Sequence, residues 1–200
     1  MQNLISTIFP PQCLRCNRLE YALCLDCRHS IGVQRGDQLA GVAAVFSAGD
    51  YSGWLRDAVL AYKSGRQSNV DGLASVLLQV LEVSQLSADY LVGIPSTKAK
   101  VESRGFDTIG NLCSALSRKT KIRHVRALKF AHRVTSQVGL TRDQRLQNLN
   151  QAFCATRAIS GNVLLVDDVI TTGATMSAAA QKLRIAGAKN IFAISLCRTQ

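Results

Sequence analysis

"NVLLVDDVITTGATMSAAAQKLRIAGAKN" (residues 162–190) is the stretch on which the fold turns. An apolar run (162–166) leads straight into two adjacent carboxylates, Asp167 and Asp168. A loop of three threonines and one glycine follows, then a helix-like segment that ends at Gly187, a residue type suited to the position just past a helix. A second continuous apolar run, "IFAISL" (191–196), comes next. Apolar runs without alternation are the pattern of strands covered on both faces. Ligands of such parallel sheets sit at the carboxyl ends of strands, which is where the acid pair and the threonine loop stand.

Working outward, strands and helices alternate. "GVAAVFSAGDY" (41–51) reads as a strand running into a turn. "SGWLRDAVLAY" (52–62) places Leu55, Ala58, Val59 and Tyr62 at helical spacing and is ended by "KSGRQSN". A second helix is expected over 71–83, with Leu73, Val76, Leu77, Val80 and Leu81 in one stripe behind Asp71 as its cap. "YLVGI" (90–94) is a short buried strand stopping at Pro95, and 104–118 reads as one helix with Phe106, Ile109, Cys113 and Leu116 on a face. This order predicts an α/β fold with a mainly parallel twisted sheet flanked by helices, over residues 41–200. Residues 1–40, cysteine-rich and turn-like, form a separate small module ahead of it.

The bulk numbers bound the function. A hydrophobic fraction of 47% against 18% charged is that of a folded globular chain. "MQNLISTIFPPQC" lacks the basic and long apolar regions of a signal peptide, and no apolar run reaches membrane-spanning length. The expectation is a cytoplasmic protein without membrane insertion. A formal charge of +11 would attract phosphate-bearing partners, although a basic surface that only aids solubility gives the same count.

Four of the seven cysteines lie in "CLRCNRLEYALCLDC". Each C-x2-C pair can present two thiolates from a tight knuckle, so Cys13, Cys16, Cys24 and Cys27 have the spacing of a four-cysteine structural zinc site. A redox dithiol and an iron–sulfur cluster are the rival readings; two tandem pairs speak against the first, and ligand type and spacing favour zinc.

The acid pair and the loop suit one ligand. Carboxylates accept hydrogen bonds from neighbouring hydroxyls such as those of a ribose. The first amides of a helix opened by Thr171, Thr172, Gly173, Ala174 and Thr175 can surround a phosphate, with Gly173 permitting close approach of the backbone. Together they describe a ribose-5-phosphate site. Alternatively a threonine only caps the helix while the acids meet solvent or magnesium. No P-loop and no dinucleotide fingerprint is present.

"VLLVDDVITTGAT" also resembles the phosphoribosyl-diphosphate (PRPP) signature of type I phosphoribosyltransferases, and the whole chain resembles the ComF/GntX branch, in which a four-cysteine zinc element precedes such a domain. Tyr51, Leu55-Arg56, "KSGR" (63–66), "RGFD" (104–107) and "QVGLTRDQRLQNL" (137–149) carry the likeness. The resemblance implies that Asp167 and Asp168 hold the ribose hydroxyls and act in catalysis, and that residues 171–175 hold the 5-phosphate. It further implies that pyrophosphate is displaced by a nitrogen nucleophile, with Mg²⁺ on the leaving group. In "GIPSTKAKVESRGFDT" (93–108), where the family places its pyrophosphate loop, Gly93, Ser96 and Asp107-Thr108 depart from the usual pattern. Ser96, Thr97, Lys98, Lys100 and Arg104 are the candidates there. The resemblance also implies a second class of function: a non-catalytic accessory in the uptake of DNA, with single-stranded DNA and a helicase as partners. A PRPP-sensing regulator is a third. The eleven aromatic residues show no interleaving with basic ones of the kind single-strand platforms use.

Overall fold

The computed structural model describes residues 10–131 and 152–199. In chain order the elements are α1 (Leu25–His29), β1 (Gln34–Arg35), β2 (Ala44–Ser47), α2 (Gly53–Lys63), a 3-10 turn (Gln67–Asn69) and α3 (Val70–Ser84). There follow β3 (Tyr90–Gly93), α4 (Lys98–Arg104), α5 (Thr108–Thr120), β4 (Arg123–His124), β5 (Leu128–Phe130), β6 (Phe153–Ala155), β7 (Gly161–Ile170), α6 (Ala174–Ile185) and β8 (Ala188–Arg198). The main sheet has the order β1-β2-β8-β7-β3-β4. All neighbours in it are parallel except β1 and β2. The block "QVGLTRDQRLQNL" (137–149) lies outside the described residues.

The continuous apolar runs have the cause expected of them. Successive strand residues face opposite sides. Leu164 and Val166 of β7 join a core under α2, α3 and α5, whereas Val163 and Leu165 join another under α6. Both faces are covered, and Val163, Leu164, Leu165 and Val166 are all fully buried. Strands β5 and β6 form a separate antiparallel pair beside the carboxyl end of the sheet.

Three expectations need correction. Strand β7 does not end before the acids: it pairs with β8 through Asp167↔Ser195 to Ile170↔Arg198, because β8 also runs on to Arg198. The single helix expected over 104–118 is two. Gly105 closes α4 in the left-handed region (φ 77°), and Asp107 caps α5 by accepting the Gly110 N–H at 3.0 Å. Phe106 is buried in the turn between them, edge-on to Tyr62 at 5.3 Å. Asp71 is not a cap but lies in the first turn of α3, where a negative charge suits the helix dipole.

The cysteine-rich segment packs on α3. Cys13, Leu23, Cys24 and Cys27 share a buried cluster with Leu73 and Leu77, and Arg28 Nε reaches Gln79 Oε1 at 3.0 Å. The contact is tightest at Gly72, where a Cβ would stand 2.5 Å from the Ala22 carbonyl oxygen and 2.6 Å from Leu14. Glycine to alanine inside a helix ordinarily adds up to about 1 kcal/mol of stability, whereas overpacking costs about 1–3 kcal/mol. Gly72→Ala is therefore expected to lower the melting temperature; a rise would show that the segment does not dock there.

Candidate functional site

At the carboxyl end of the sheet β3 stops at Gly93, with Ile94 N–H donating to Val166 at 2.9 Å, and Pro95 turns the chain away. Beyond that point β7 is paired only with β8. The gap opens into a cleft of about 390 Å³. Asp167, Asp168 and Thr175 line it together with Lys63, Ser96, Thr97, Lys100 and Arg104, and Phe130, Ala152 and Phe153 from β5–β6 form a further wall. Acids and cations thus share one opening.

Asp168 Oδ1 accepts from Lys63 Nζ at 2.8 Å, and both side chains are largely buried. The Asp168 N–H donates to Asp167 Oδ1 at 2.8 Å. Burial, then the neighbouring Asp168 charge, push the Asp167 carboxyl up to about 7, against the counter-effects of that amide, Lys63 and Lys100. Lys63 was missed as a site residue by the sequence reading. It is the last residue of α2, 105 positions from its partner, and "KSGR" was the only signal.

Of the loop residues named beforehand, Ser96, Thr97, Lys100 and Arg104 face the cleft. Thr97 also caps α4, accepting from the Lys100 N–H at 3.4 Å. Lys98 does not face the cleft: its side chain is 90% exposed and lies 3.6 Å from Glu102. The threonine loop divides two openings. Thr175 belongs to the acid cleft, whereas Thr171, Thr172 and Gly173 line a neighbouring one of about 270 Å³ with Leu39, Ser47 and Arg198; Ala174 lines neither. Gly173 is left-handed (φ 74°), and a Cβ there would strike the Leu39 side chain. The close approach expected at this glycine is thus made by Leu39. No side chain caps α6 at Gly173, and Thr172 Oγ1 accepts the Ala174 N–H at a long 3.4 Å. In the same neighbouring cleft the buried Ser47 hydroxyl has no partner.

The sulfurs of Cys13, Cys16, Cys24 and Cys27 all lie within 4.8 Å of one another. Cys24 is 3.8 Å from Cys13 and 3.7 Å from Cys16. A tetrahedron of sulfurs at about 2.3 Å from a central zinc has edges of about 3.8 Å. The first knuckle closes through the Asn17 N–H donating to the Cys13 carbonyl at 2.9 Å, with Asn17 left-handed; the second lies at the start of α1. This geometry can hold a metal ion such as zinc, and four sulfurs would leave it no open position.

No family model matches the chain. Among curated proteins it is similar to DNA utilization protein YhgH of Escherichia coli O6:H1, with 30% identity over 158 residues, covering 75% of this chain and 70% of that one. YhgH of Salmonella typhimurium is 30% identical over 167 residues, covering 76% and 71%. Competence protein F of Haemophilus influenzae is 33% identical over 115 residues, covering 54% and 49%. Among solved structures, glutamine PRPP amidotransferase from B. subtilis complexed with ADP and GMP aligns at 22% identity with a TM-score of 0.43, over 66% of this chain and 26% of that one.

The raised Asp167 value has a consequence for stability. An acid whose folded value lies above its unfolded one favours the folded state while protonated. That contribution is complete below about pH 4 and is lost as the pH rises through about 7. Asp167→Asn keeps an oxygen to accept from Asp168 but cannot ionise. It is expected to melt above the wild type at about pH 8, with the advantage disappearing towards about pH 4; thermal denaturation across that range measures it.

Proposed function

The chain belongs to the ComF/GntX family, and on that premise we propose that it binds PRPP in the acid cleft and displaces pyrophosphate from it with a nitrogen acceptor. The observation that carries the reading is the shared opening: two carboxylates on β7 face Lys100 and Arg104 across one cleft, beside an uncapped helix start. In this reading Asp167 and Asp168 accept from the ribose hydroxyls. Residues 171–175, which divide the acid cleft from the neighbouring one, hold the 5-phosphate through backbone amides and threonine hydroxyls. Ser96, Thr97, Lys100 and Arg104 take the diphosphate.

The step balances simply. The nitrogen lone pair forms a bond to C1 of the sugar, the C1–O bond breaks, the diphosphate leaves with the electron pair, and the proton released by an N–H acceptor passes to the diphosphate. Lys100 and Arg104 stabilise the departing charge, and Lys63 holds Asp168 in place against the sugar. Magnesium, arriving with the diphosphate, would neutralise part of the leaving-group charge. The apolar wall of Phe130 and Phe153, whose rings lie 5.1 Å apart, suits a planar acceptor and keeps water from the sugar.

Zinc at Cys13, Cys16, Cys24 and Cys27 is a structural ion in this reading, bracing the 1–40 module against the 41–200 domain. No described helix is long and apolar enough to cross a membrane. We assign the protein to the cytoplasm, where free cysteines stay reduced.

A second reading, an accessory in DNA handling that works with single-stranded DNA and a helicase, is favoured by the names of the relatives and by the +11 charge. It is compatible with PRPP binding.

Calorimetry with PRPP and Mg²⁺ tests the first reading. The wild type should bind, and Asp168→Asn should bind about tenfold or more weakly, the loss expected for a charged hydrogen bond. An absence of binding by the wild type, or an unaffected variant, would refute the assignment. Metal analysis should find about one zinc per chain; stripping it with a strong chelator should lower the melting temperature, as Cys16→Ser should also do.

A further inference from the structure

The acid cleft occupies the carboxyl end of the sheet, and a second group of basic residues lies away from it. Residues 108–131 and 152–166 contain no aspartate or glutamate. Within them Arg118 and Arg126 have carboxylate partners, Asp71 at 3.4 Å and Asp107 at 3.6 Å. Among the described residues Lys119, Lys121, Arg123, Lys129 and Arg157 have none, and all five are exposed.

Arg123 and Arg157 converge. They line a cleft of about 500 Å³ with Tyr90, Ser160 and Gly187. Tyr90 and Arg123 are the first residues of β3 and β4, while Ser160 and Gly187 immediately precede β7 and β8. The cleft therefore lies across the amino ends of four parallel strands, away from Asp167 and Asp168. β4 is the last strand of the sheet, and Lys119 and Lys121 precede it at the carboxyl end of α5. Asp89, beside Tyr90, accepts the Asn162 N–H at 2.8 Å.

We propose that this amino-end cleft and the β4 edge form the track on which the phosphodiester backbone of a nucleic acid strand lies. The proposal rests on the DNA-handling reading above and assigns it a surface. Two guanidinium groups in one cleft offer forked donors to phosphate oxygens, and the neighbouring lysines extend the positive charge beyond the reach of a single small anion. The Tyr90 ring gives a base a face to stack on. A lipid surface fits less well: of the exposed large apolar side chains among the described residues, Leu19, Tyr21, Leu25 and Val83 belong to other elements and only Ile185 lies beside the cleft. The separation from the acid cleft lets nucleic acid and PRPP bind together.

Fluorescence anisotropy of a labelled single-stranded 20-mer, titrated with the full chain between about 50 and 200 mM salt, tests this. The R123Q/R157Q double variant changes two exposed side chains and should keep the wild-type melting temperature and PRPP affinity. It should bind the oligonucleotide about tenfold or more weakly, with the slope of log K against log salt reduced by about 1.4, two phosphate contacts' worth. Wild-type binding that the double variant retains in full would overturn the surface and leave the DNA-handling reading standing. An oligonucleotide that the wild type does not bind would overturn both. Loss of binding to anionic vesicles, with oligonucleotide binding unchanged, would reassign the patch to a membrane.

Discussion

The candidate site depends on one mismatch in strand length. β3 gives up its pairing with β7 at Val166, where Gly93 and Ile94 make the last contacts and Pro95 has no N–H to continue. β8 continues alongside β7 for four more residues, to Ile170↔Arg198. The extension is therefore held on one edge and open on the other. Were β3 as long as β8, the acids would be walled in; were β8 as short as β3, they would sit on a loop. One-sided pairing gives two carboxylates the rigidity of a strand while leaving them reachable.

That rigidity has an electrostatic cost. Two acids in succession at a half-buried position repel each other, and the structure meets this in two ways. Asp168 is matched by Lys63 from the end of α2, and Asp167 is partly relieved by the Asp168 amide. The remaining tension shows as the raised Asp167 value. Nothing in the packing of β7 requires acids here; apolar residues would suit the strand better. This burden lies at the carboxyl end of a parallel sheet, where we propose that the ribose hydroxyls bind.

Much of this was legible in the sequence because the relevant signals are local. The apolar runs, the C-x2-C pairs and the stretch from Asp167 to Thr175 are contiguous, and their spacing dictates their geometry. What could not be read there is long-range. The Lys63–Asp168 pair joins residues on different elements, and neither alternation nor helical period announces it. The break at Gly105 was hidden because Phe106, in the turn that follows it, keeps nearly helical spacing with Ile109 and Cys113 of α5. Basic–aromatic neighbours likewise escaped a linear reading: the guanidinium of Arg15 lies 5.8 Å from the ring centre of Trp54, although 39 positions separate them.

The N-terminal segment illustrates the same limit from another side. Its cysteines are readable as a metal centre, but their attachment is not. The knuckles press on α3 at Gly72, and the chain then runs through β1, at the edge of the main sheet, to Leu39, which fills the space beside Gly173. A single short stretch therefore touches both the helix layer behind the sheet and the loop beside the acid cleft. Ordering it around one ion would fix both contacts at once, since the segment has little apolar core of its own to do so. On this argument the cysteine centre belongs to the architecture of the threonine loop, although more than 140 residues of sequence lie between them.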